Sequence, residues 1–423
     1  MKNILIITYY WPPSGGPAVQ RWLDFANRLA KDNYKVFVLT VSEQTATYTS
    51  YDPTLLNQID PRIQIHYADA VDYFAFYKKF IGKGTVPGNA LADDTNPNFI
   101  KKISRFIRGN FFIPDPRIGW KKHAVKVAQK IINNEGIDVF ITAGPPQSTH
   151  LIGLGLKAKK TNIKWIADFH DYWTNVFYLK KFYRTAIAQK IDLYFEKKVI
   201  ENADQILVHT DYNKNYLKNR TKKHLNIEVV RIGYDEQKFN NATKQRNEIF
   251  TITYAGTLPD YYHPESFFEA LVQLKKEHPS LKLITRFIGI ISDTIQSMVS
   301  QYQLEDWIVF EGYKPHLESI EAIMQSDLLL LINPRLEQDE AIVPGKIFEY
   351  IATGNPILSI SSKGSENEMI LKETHTGANY DWNDIQGIKN YIYNCIMHPT
   401  KNTAEKNNNY SRAEQYQKLI QIL

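Results

Sequence analysis

Ile342-Val-Pro-Gly-Lys-Ile-Phe-Glu-Tyr-Ile-Ala-Thr-Gly-Asn-Pro-Ile-Leu-Ser-Ile360 reads as a loop that opens into a short helix and closes on a strand. Pro344 and Gly345 open the helix, Ile347, Phe348 and Ile351 give it an apolar stripe, and Gly354 with Pro356 stops it. Ile357 to Ile360 then continues as a short buried strand. A helix feeding an unbroken apolar strand is the repeating unit of a parallel α/β sheet. Lys346 falls in the first turn, where its charge opposes the helix dipole. That placement serves an anion, which the ammonium and the free N–H groups around Gly345 can hold together. Glu349 lies on the same face, roughly 4.5 Å further along the axis. A cation at the mouth and a carboxylate one turn down match a nucleoside diphosphate, with phosphates on the first and ribose hydroxyls on the second. A solvated Lys–Glu pair, contributing about 0.3 kcal/mol, fits the same spacing.

The same grammar runs through the chain. Asn3 to Thr8 is a continuous apolar strand, Tyr9-Tyr-Trp-Pro-Pro-Ser-Gly-Gly-Pro17 is a loop, a helix follows from about Ala18 to Lys31, and Lys35 to Val41 is the next strand. This is a βαβ unit whose loop lies at the carboxyl edge of the sheet, where ligands bind. Gly15 and Gly16 let a ligand approach the backbone, although a tight turn has the same signature, and the loop is not a G-x-G-x-x-G dinucleotide fingerprint. Arg21, one turn into the helix, is read as a surface residue within reach of an anion.

Strands at 138–142, 164–168, 205–210 and 227–232 extend the first sheet, and helix 181–202 is predicted to bury Ile191, Tyr194, Phe195 and Val199. His150 ends the loop Ala143–His150; His170 and Asp171 follow the strand 164–168. Asp168 and Asp171 bracket His170, and a carboxylate beside imidazole raises its pKa and fixes its tautomer. Loop histidines satisfied by backbone are the alternative. Tyr172 and Trp173 suit stacking on a sugar face or ordinary core packing. Residues 235–247 are polar and aperiodic and read as a linker, after which strands at 251–256, 281–288, 307–310 and 327–332 start a second α/β unit. The expected architecture is two doubly wound Rossmann-like domains facing across a cleft, at 1–234 and 248–404, with 405–423 returning as a closing helix.

Residues 70–120 interrupt this pattern with Tyr73-Phe-Ala-Phe-Tyr-Lys-Lys-Phe80 and Phe99-Ile-Lys-Lys-Ile-Ser-Arg-Phe-Ile-Arg-Gly-Asn-Phe-Phe112. Ile100, Ile103 and Ile107 share a helical face, with Lys101, Lys102, Arg105 and Arg108 elsewhere. Such a helix suits anionic headgroups, or else packs on its own domain.

Composition excludes several classes. Apolar content of 43% with 23% charged residues belongs to a globular protein, and 423 residues favour two domains. A single cysteine, Cys395, rules out an internal disulfide and fits a reducing, cytoplasmic compartment. No apolar run approaches the roughly 18 residues of a bilayer span. A net charge of +6 is too mild to argue for nucleic acid, and no zinc-finger or RNA-binding signature accompanies it.

Several motifs together resemble the retaining glycosyltransferases of family 4, which have the GT-B fold. They are Ile7 to Pro13 with Gly15 and Gly16, Pro114-Asp115 with Trp120, Gly144-Pro-Pro-Gln-Ser-Thr-His150 and Ile166-Ala-Asp-Phe-His-Asp-Tyr-Trp173. They continue with Arg231-Ile-Gly-Tyr-Asp235, Tyr254-Ala-Gly256 and Pro344-Gly-Lys-Ile-Phe-Glu-Tyr350. The resemblance implies a nucleotide-sugar donor on the carboxyl-terminal domain, with Glu349 on the ribose and Lys346 and Gly345 beside the diphosphate. Gly15, Gly16 and Gly256 would border phosphates and sugar, while His150, His170 and Asp171 would face acceptor and sugar. It implies retention of configuration, a leaving diphosphate that helps deprotonate the acceptor, and no metal or other cofactor. A fixed cation at that leaving group stabilises the transition state by about 3–4 kcal/mol; Lys346 is the first choice and Arg335 the second.

Two departures stand out. Relatives carry an Arg directly after the glycine at 256 and a Lys soon after, where this chain has Thr257 and Tyr261-Tyr-His263. They also carry a glutamate where Ala341 stands here. The clamp on the phosphates is therefore expected to be rebuilt from other residues. The function expected is transfer of a hexosyl or N-acetylhexosaminyl group to a lipid-linked or saccharide acceptor in surface-polysaccharide synthesis, by a protein peripheral to an anionic membrane. A nucleotide-sugar 2-epimerase and a non-catalytic nucleotide- or lipid-binding partner are the alternatives.

Overall fold

The computed structural model describes residues 2–71, 99–159, 162–240, 248–336, 339–399 and 408–423. The Tyr73–Phe80 stretch lies outside these. The chain divides into two compact units, Met1–Arg231 with Lys418–Leu423, and Ile232–Gln417.

Unit 1 runs β1 (Asn3–Thr8), α1 (Pro17–Lys31), β2 (Lys35–Val41), β3 (Gln64–Ala68), α2 (Phe99–Phe111), α3 (Lys121–Glu135) and β4 (Val139–Gly144). It continues with α4 (Ser148–Lys157), β5 (Lys164–Phe169), α5 (Ala186–Asn202), β6 (Gln205–Val208), α6 (Asp211–Lys218) and β7 (Ile227–Val229). Its sheet is parallel throughout, in the order β3-β2-β1-β4-β5-β6-β7. Helices on both faces bury the central strands completely, which explains why Ile4 to Ile7 is apolar without alternation.

Unit 2 runs α7 (Gln237–Asn240), β8 (Phe250–Ala255), α8 (Glu265–Glu277), β9 (Leu283–Ile288), α9 (Asp293–Gln301), β10 (Ile308–Gly312) and α10 (His316–Met324). Then come β11 (Leu328–Ile332), α11 (Lys346–Thr353), β12 (Ile357–Ile360), α12 (Glu366–Thr374), β13 (Gly377–Tyr380), α13 (Ile385–Met397) and α14 (Arg412–Ile422). The second parallel sheet has the order β10-β9-β8-β11-β12-β13. The stretch read as a linker begins inside this unit, because α7 is a helical turn and Phe239 is buried in the unit 2 core. Both units are Rossmann-like, and each sheet reverses its order once, between β1 and β4 and between β8 and β11. Loops leaving the carboxyl ends of those strand pairs part to either side and leave a crevice for a ligand.

Three expectations are corrected. Arg21 is fully buried, not a surface residue: Nη1 donates to Asp168 Oδ2 at 2.8 Å and Nη2 to the Val230 carbonyl at 3.0 Å. In α5 the stripe is displaced, because Ile191 and Tyr194 are exposed while Asp192 and Glu196 are buried. Those acids are drawn in by partners the sequence pattern does not show, Arg184 at 2.7 Å and Arg220 at 3.2 Å. In α2, likewise, Arg105 is buried and Ile100 and Ile103 are exposed.

Asp115 explains why Pro114-Asp115 belongs to the motif set. Its carboxylate caps the turn Pro116–Trp120 through Arg117 N at 2.9 Å. It also accepts from Ser148 N at 2.7 Å and Ser148 Oγ at 2.8 Å, seating the start of α4. Burial pushes its pKa up against the pull of these donors. Asp115→Ala leaves them enclosed and unpaired, so urea unfolding should show a loss of about 2–3 kcal/mol. A loss within about 0.5 kcal/mol, the range of an ordinary surface change, would contradict this seating role.

Candidate functional site

The order reversal in unit 2 sets Gly256, at the end of β8, against Lys346, at the start of α11. Lys346 is the first helical residue, and no side chain caps the helix. Its ammonium is enclosed, makes no hydrogen bond among the described residues and sits 3.8 Å from the centre of the Tyr254 ring. Gly256 has φ +131°, which favours glycine, and a Cβ there would lie 2.6 Å from Nζ and push the ammonium aside. Gly289, φ +124°, is required in turn, because a Cβ there would strike the Gly256 carbonyl. Burial pulls the Lys346 pKa down to about 7, with Glu349 acting in the opposite direction. The ammonium is held in place by a cation–π contact and nothing stronger, which leaves its three N–H donors available to an incoming anion.

Glu349 is not a solvated partner of Lys346. It accepts from His316 Nε2 at 2.7 Å, while Lys238 Nζ lies 3.4 Å from His316 Nδ1. Lysine only donates, so Nδ1 is the acceptor and Nε2 carries the proton toward Glu349. The carboxylate is thus held by one hydrogen bond, with its other oxygen available. Thr257 is exposed and its carbonyl accepts from Tyr254 Oη at 2.7 Å; Tyr350 Oη accepts from Ala255 N at 2.9 Å. Two tyrosines therefore fix the segment that carries Gly256. Gly345 has ordinary right-handed helical geometry and bonds forward to Phe348 N. Arg335 is exposed, with its guanidinium 5.8 Å from the Trp382 ring, and no contact among the described residues joins it to Lys346.

In unit 1 the order reversal brings the loop after β1 beside the loop after β4. Gly15 packs against Ser50 and Asp52, and its N–H donates to Ser50 O at 3.1 Å. Gly16 has φ +111° with open space at its Cα. His150 stands in the first turn of α4, fully buried and stacked on Phe169 at 4.4 Å. Its Nδ1 lies 2.9 Å from Thr142 Oγ1, which itself accepts from Trp165 Nε1 at 2.9 Å. The hydroxyl has one proton to give; given to Nδ1, it leaves Nε2 as a buried donor without a partner. Burial lowers the His150 pKa to about 3, so this residue offers a neutral N–H rather than a base.

His170 meets His209 edge-on at 4.0 Å. Its Nδ1 and both His209 nitrogens are enclosed without partners. Burial lowers the His170 pKa and outweighs the pull of Asp171 and Asp168, the opposite of the expected rise. The pull of Asp168 is opposed by its own partner Arg21, which donates to it at 2.8 Å and acts on His170 in the opposite direction. Asp171 is exposed, and Gln147 reaches its carbonyl. Trp173 is a core residue whose Nε1 donates to Asp192 at 2.6 Å. Enclosed nitrogens without partners thus follow each of β4, β5 and β6, where hydroxyl groups or water would satisfy them.

Sequence reasoning missed Tyr254 as the seat of Lys346, His316 as the holder of Glu349, and His209. Tyr254 stood in a quoted motif; nothing in the spacing of the other two marks them.

The chain has a GT-B-like fold, and part of it matches a glycosyltransferase family model. The profile of the family described as Glycosyltransferase Family 4 matches residues 88–238. Among solved structures, the chain is similar to a sucrose-phosphate synthase from Thermosynechococcus elongatus, with TM-score 0.63 and 15% identity over 100% of this chain and 98% of that one. It is similar to a glycosyltransferase from Rickettsia africae ESF-5, with TM-score 0.63 and 14% identity over 100% and 97%. It is also similar to Anabaena HepE in complex with UDP-glucose, with TM-score 0.60 and 13% identity over 100% and 99%. No curated protein matches the chain in sequence.

Proposed function

We infer that the chain is a retaining glycosyltransferase that moves a hexosyl or N-acetylhexosaminyl group from a nucleoside-diphosphate sugar to a lipid-linked or saccharide acceptor. The observation that carries this reading is the enclosed, unpaired Lys346 ammonium beside Gly256, one helical turn from Glu349. An unpaired buried cation is costly, and an anion delivered to it removes that cost. A diphosphate does so while leaving Glu349 to take the ribose hydroxyls. The similarity to HepE, solved in complex with UDP-glucose, supports the donor class.

The chemistry is electrostatic. As the bond between sugar and phosphate breaks, negative charge grows on the diphosphate and meets a cation already in position. His150, neutral and donating through Nε2, is assigned to a sugar or acceptor hydroxyl, as are His170 and Asp171. Gly15, Gly16 and Thr257 are assigned to backbone contact with phosphates or sugar.

Purified protein incubated with a panel of nucleotide sugars tests the class. Release of nucleoside diphosphate with transfer or hydrolysis supports it; isomerisation of the sugar points to an epimerase, and binding without turnover to a non-catalytic partner. Glu349→Ala should weaken nucleoside diphosphate about tenfold to a hundredfold by titration calorimetry, the loss of a hydrogen bond to a charged group. Unchanged affinity would remove the ribose assignment.

A further inference from the structure

Two neighbouring helices of unit 1 are inside out. On α2, Ser104, Arg105 and Gly109 face inward, whereas Phe99, Ile100, Ile103 and Phe106 are exposed. On α5, Asp192 and Glu196 face inward, whereas Ile187, Ile191 and Tyr194 are exposed. Water drives the opposite partition, so side chains this apolar are seldom aligned outward on two adjacent helices without something to meet them. The inner faces explain how the arrangement holds. Arg184 donates to the Gly109 carbonyl at 3.1 Å and to Asp192 at 2.7 Å, tying α2 to α5 through a polar seam. Glu196 accepts from Thr174 and Arg220 beside it. Gly109 allows the close approach, because a Cβ there would overlap the Phe182 backbone. Both apolar stripes point away from this seam.

The exposed charges beside those stripes are lysines. Lys101 and Lys102 are exposed on α2, and Lys190, Lys197 and Lys198 on α5. Residues 99–111 contain no acid; on α5 Asp192 and Glu196 are buried and paired, and Glu201, in the last turn, is partly exposed and bonded to Thr221 Oγ1 at 2.6 Å, with Lys197 at 3.8 Å. Lys198 lies over the Tyr194 ring at 5.5 Å, so cation and apolar surface are interleaved. Among the described residues no helix is long and apolar enough to cross a membrane. We propose that the outer faces of α2 and α5 are a docking surface for an anionic lipid bilayer, with isoleucine, phenylalanine and tyrosine entering the interface and the lysines meeting headgroups. Arg105 and Arg108, expected from the sequence to meet headgroups, are not part of it: Arg105 is buried, and Arg108 is half-buried with its guanidinium 4.6 Å from the Phe182 ring. A second copy of this chain is the less suitable occupant, because two such faces would bring lysines together.

Flotation of the full chain with vesicles of phosphatidylglycerol and phosphatidylcholine, against phosphatidylcholine alone, tests this. The protein should float with the anionic vesicles and stay behind with the neutral ones. Phe106→Ser with Ile191→Ser should lower the bound fraction at least tenfold, with the circular-dichroism melt unchanged. Lys102→Gln, Lys190→Gln and Lys198→Gln together, which leave all apolar positions intact, should cost roughly fivefold per lysine at low salt. No flotation of the parent, or equal flotation of the serine variant, overturns the proposal. So does a parent dimer that the serine pair converts to monomer without any lipid binding. The test does not depend on the nucleotide reading, since it uses neither donor nor turnover.

Discussion

Lys346→Met lowers turnover from saturating donor by about a hundredfold to a thousandfold, the loss measured when one preorganised partner of a developing anion is removed. Methionine is one atom shorter but keeps an unbranched apolar chain beside the Tyr254 ring, so α11 and the Gly256 segment retain most of their packing. The donor should also bind less well, because the diphosphate meets the same cation in the ground state, but turnover falls as well because the charge that Lys346 answers is largest in the transition state. The wild-type pH dependence supplies an independent reading of the same residue. With a pKa near 7, Lys346 is about half neutral at pH 7 in the free protein. A diphosphate selects the ammonium form, so donor affinity is full below pH 7. It declines as pH rises, by up to about tenfold per unit, until the pKa of the complex is reached. Titration calorimetry at pH 8 in buffers of different ionisation enthalpy should therefore show proton uptake, and Lys346→Met should abolish it. Turnover of the variant within a factor of about two of the parent would remove Lys346 from the leaving-group role.

Arg21→Met destabilises unit 1 by about 3–5 kcal/mol, the cost of leaving a buried carboxylate without its counter-ion. Arg21 and Asp168 are 0% and 1% exposed, so no water can replace the lost charge. Trp22 would remain the single donor to Asp168 Oδ2, and the Val230 carbonyl would lose its side-chain donor. Asp168→Asn in the same chain should recover part of the loss by removing the stranded charge. The effect is read from the urea transition followed by tryptophan fluorescence, since Trp22, Trp165 and Trp173 all lie in the unit 1 core. A loss below about 1 kcal/mol would mean that the pair is solvated and replaceable, as exposed ion pairs are.

The fold was legible because parallel sheets write their strands as unbroken apolar runs. Asn3–Thr8, Lys35–Val41 and Ile357–Ile360 lie where periodicity set them, and the order of strands and helices carried the α/β class. Elements with weaker patterns were not read: α3, α9, α12, α13 and β13 appear only in the structure. Two kinds of error have one cause. Arg21, the acids of α5 and the arginines of α2 were placed by polarity, on the assumption that charge faces water. Arg21 and Glu196 are instead settled by partners distant in sequence, Asp168 and Arg220. No local window contains that information. At the site, Lys346, Glu349 and Gly256 were visible because helix starts and glycine turns leave local signatures. Tyr254, His316 and His209 act by proximity across the sheet and leave none.

Helix α14 has a consequence for how the protein is made. Its final residues, Lys418–Leu423, belong to unit 1, where Lys2 donates to the Leu423 carbonyl at 2.6 Å and Lys164 to the Ile422 carbonyl at 2.5 Å. Leu419, wholly enclosed, belongs to the same short piece. A ribosome delivers these residues only after all of unit 2 has emerged. The first unit to leave the exit tunnel is therefore the last to be finished, and through most of translation it waits with a side of its structure unsealed.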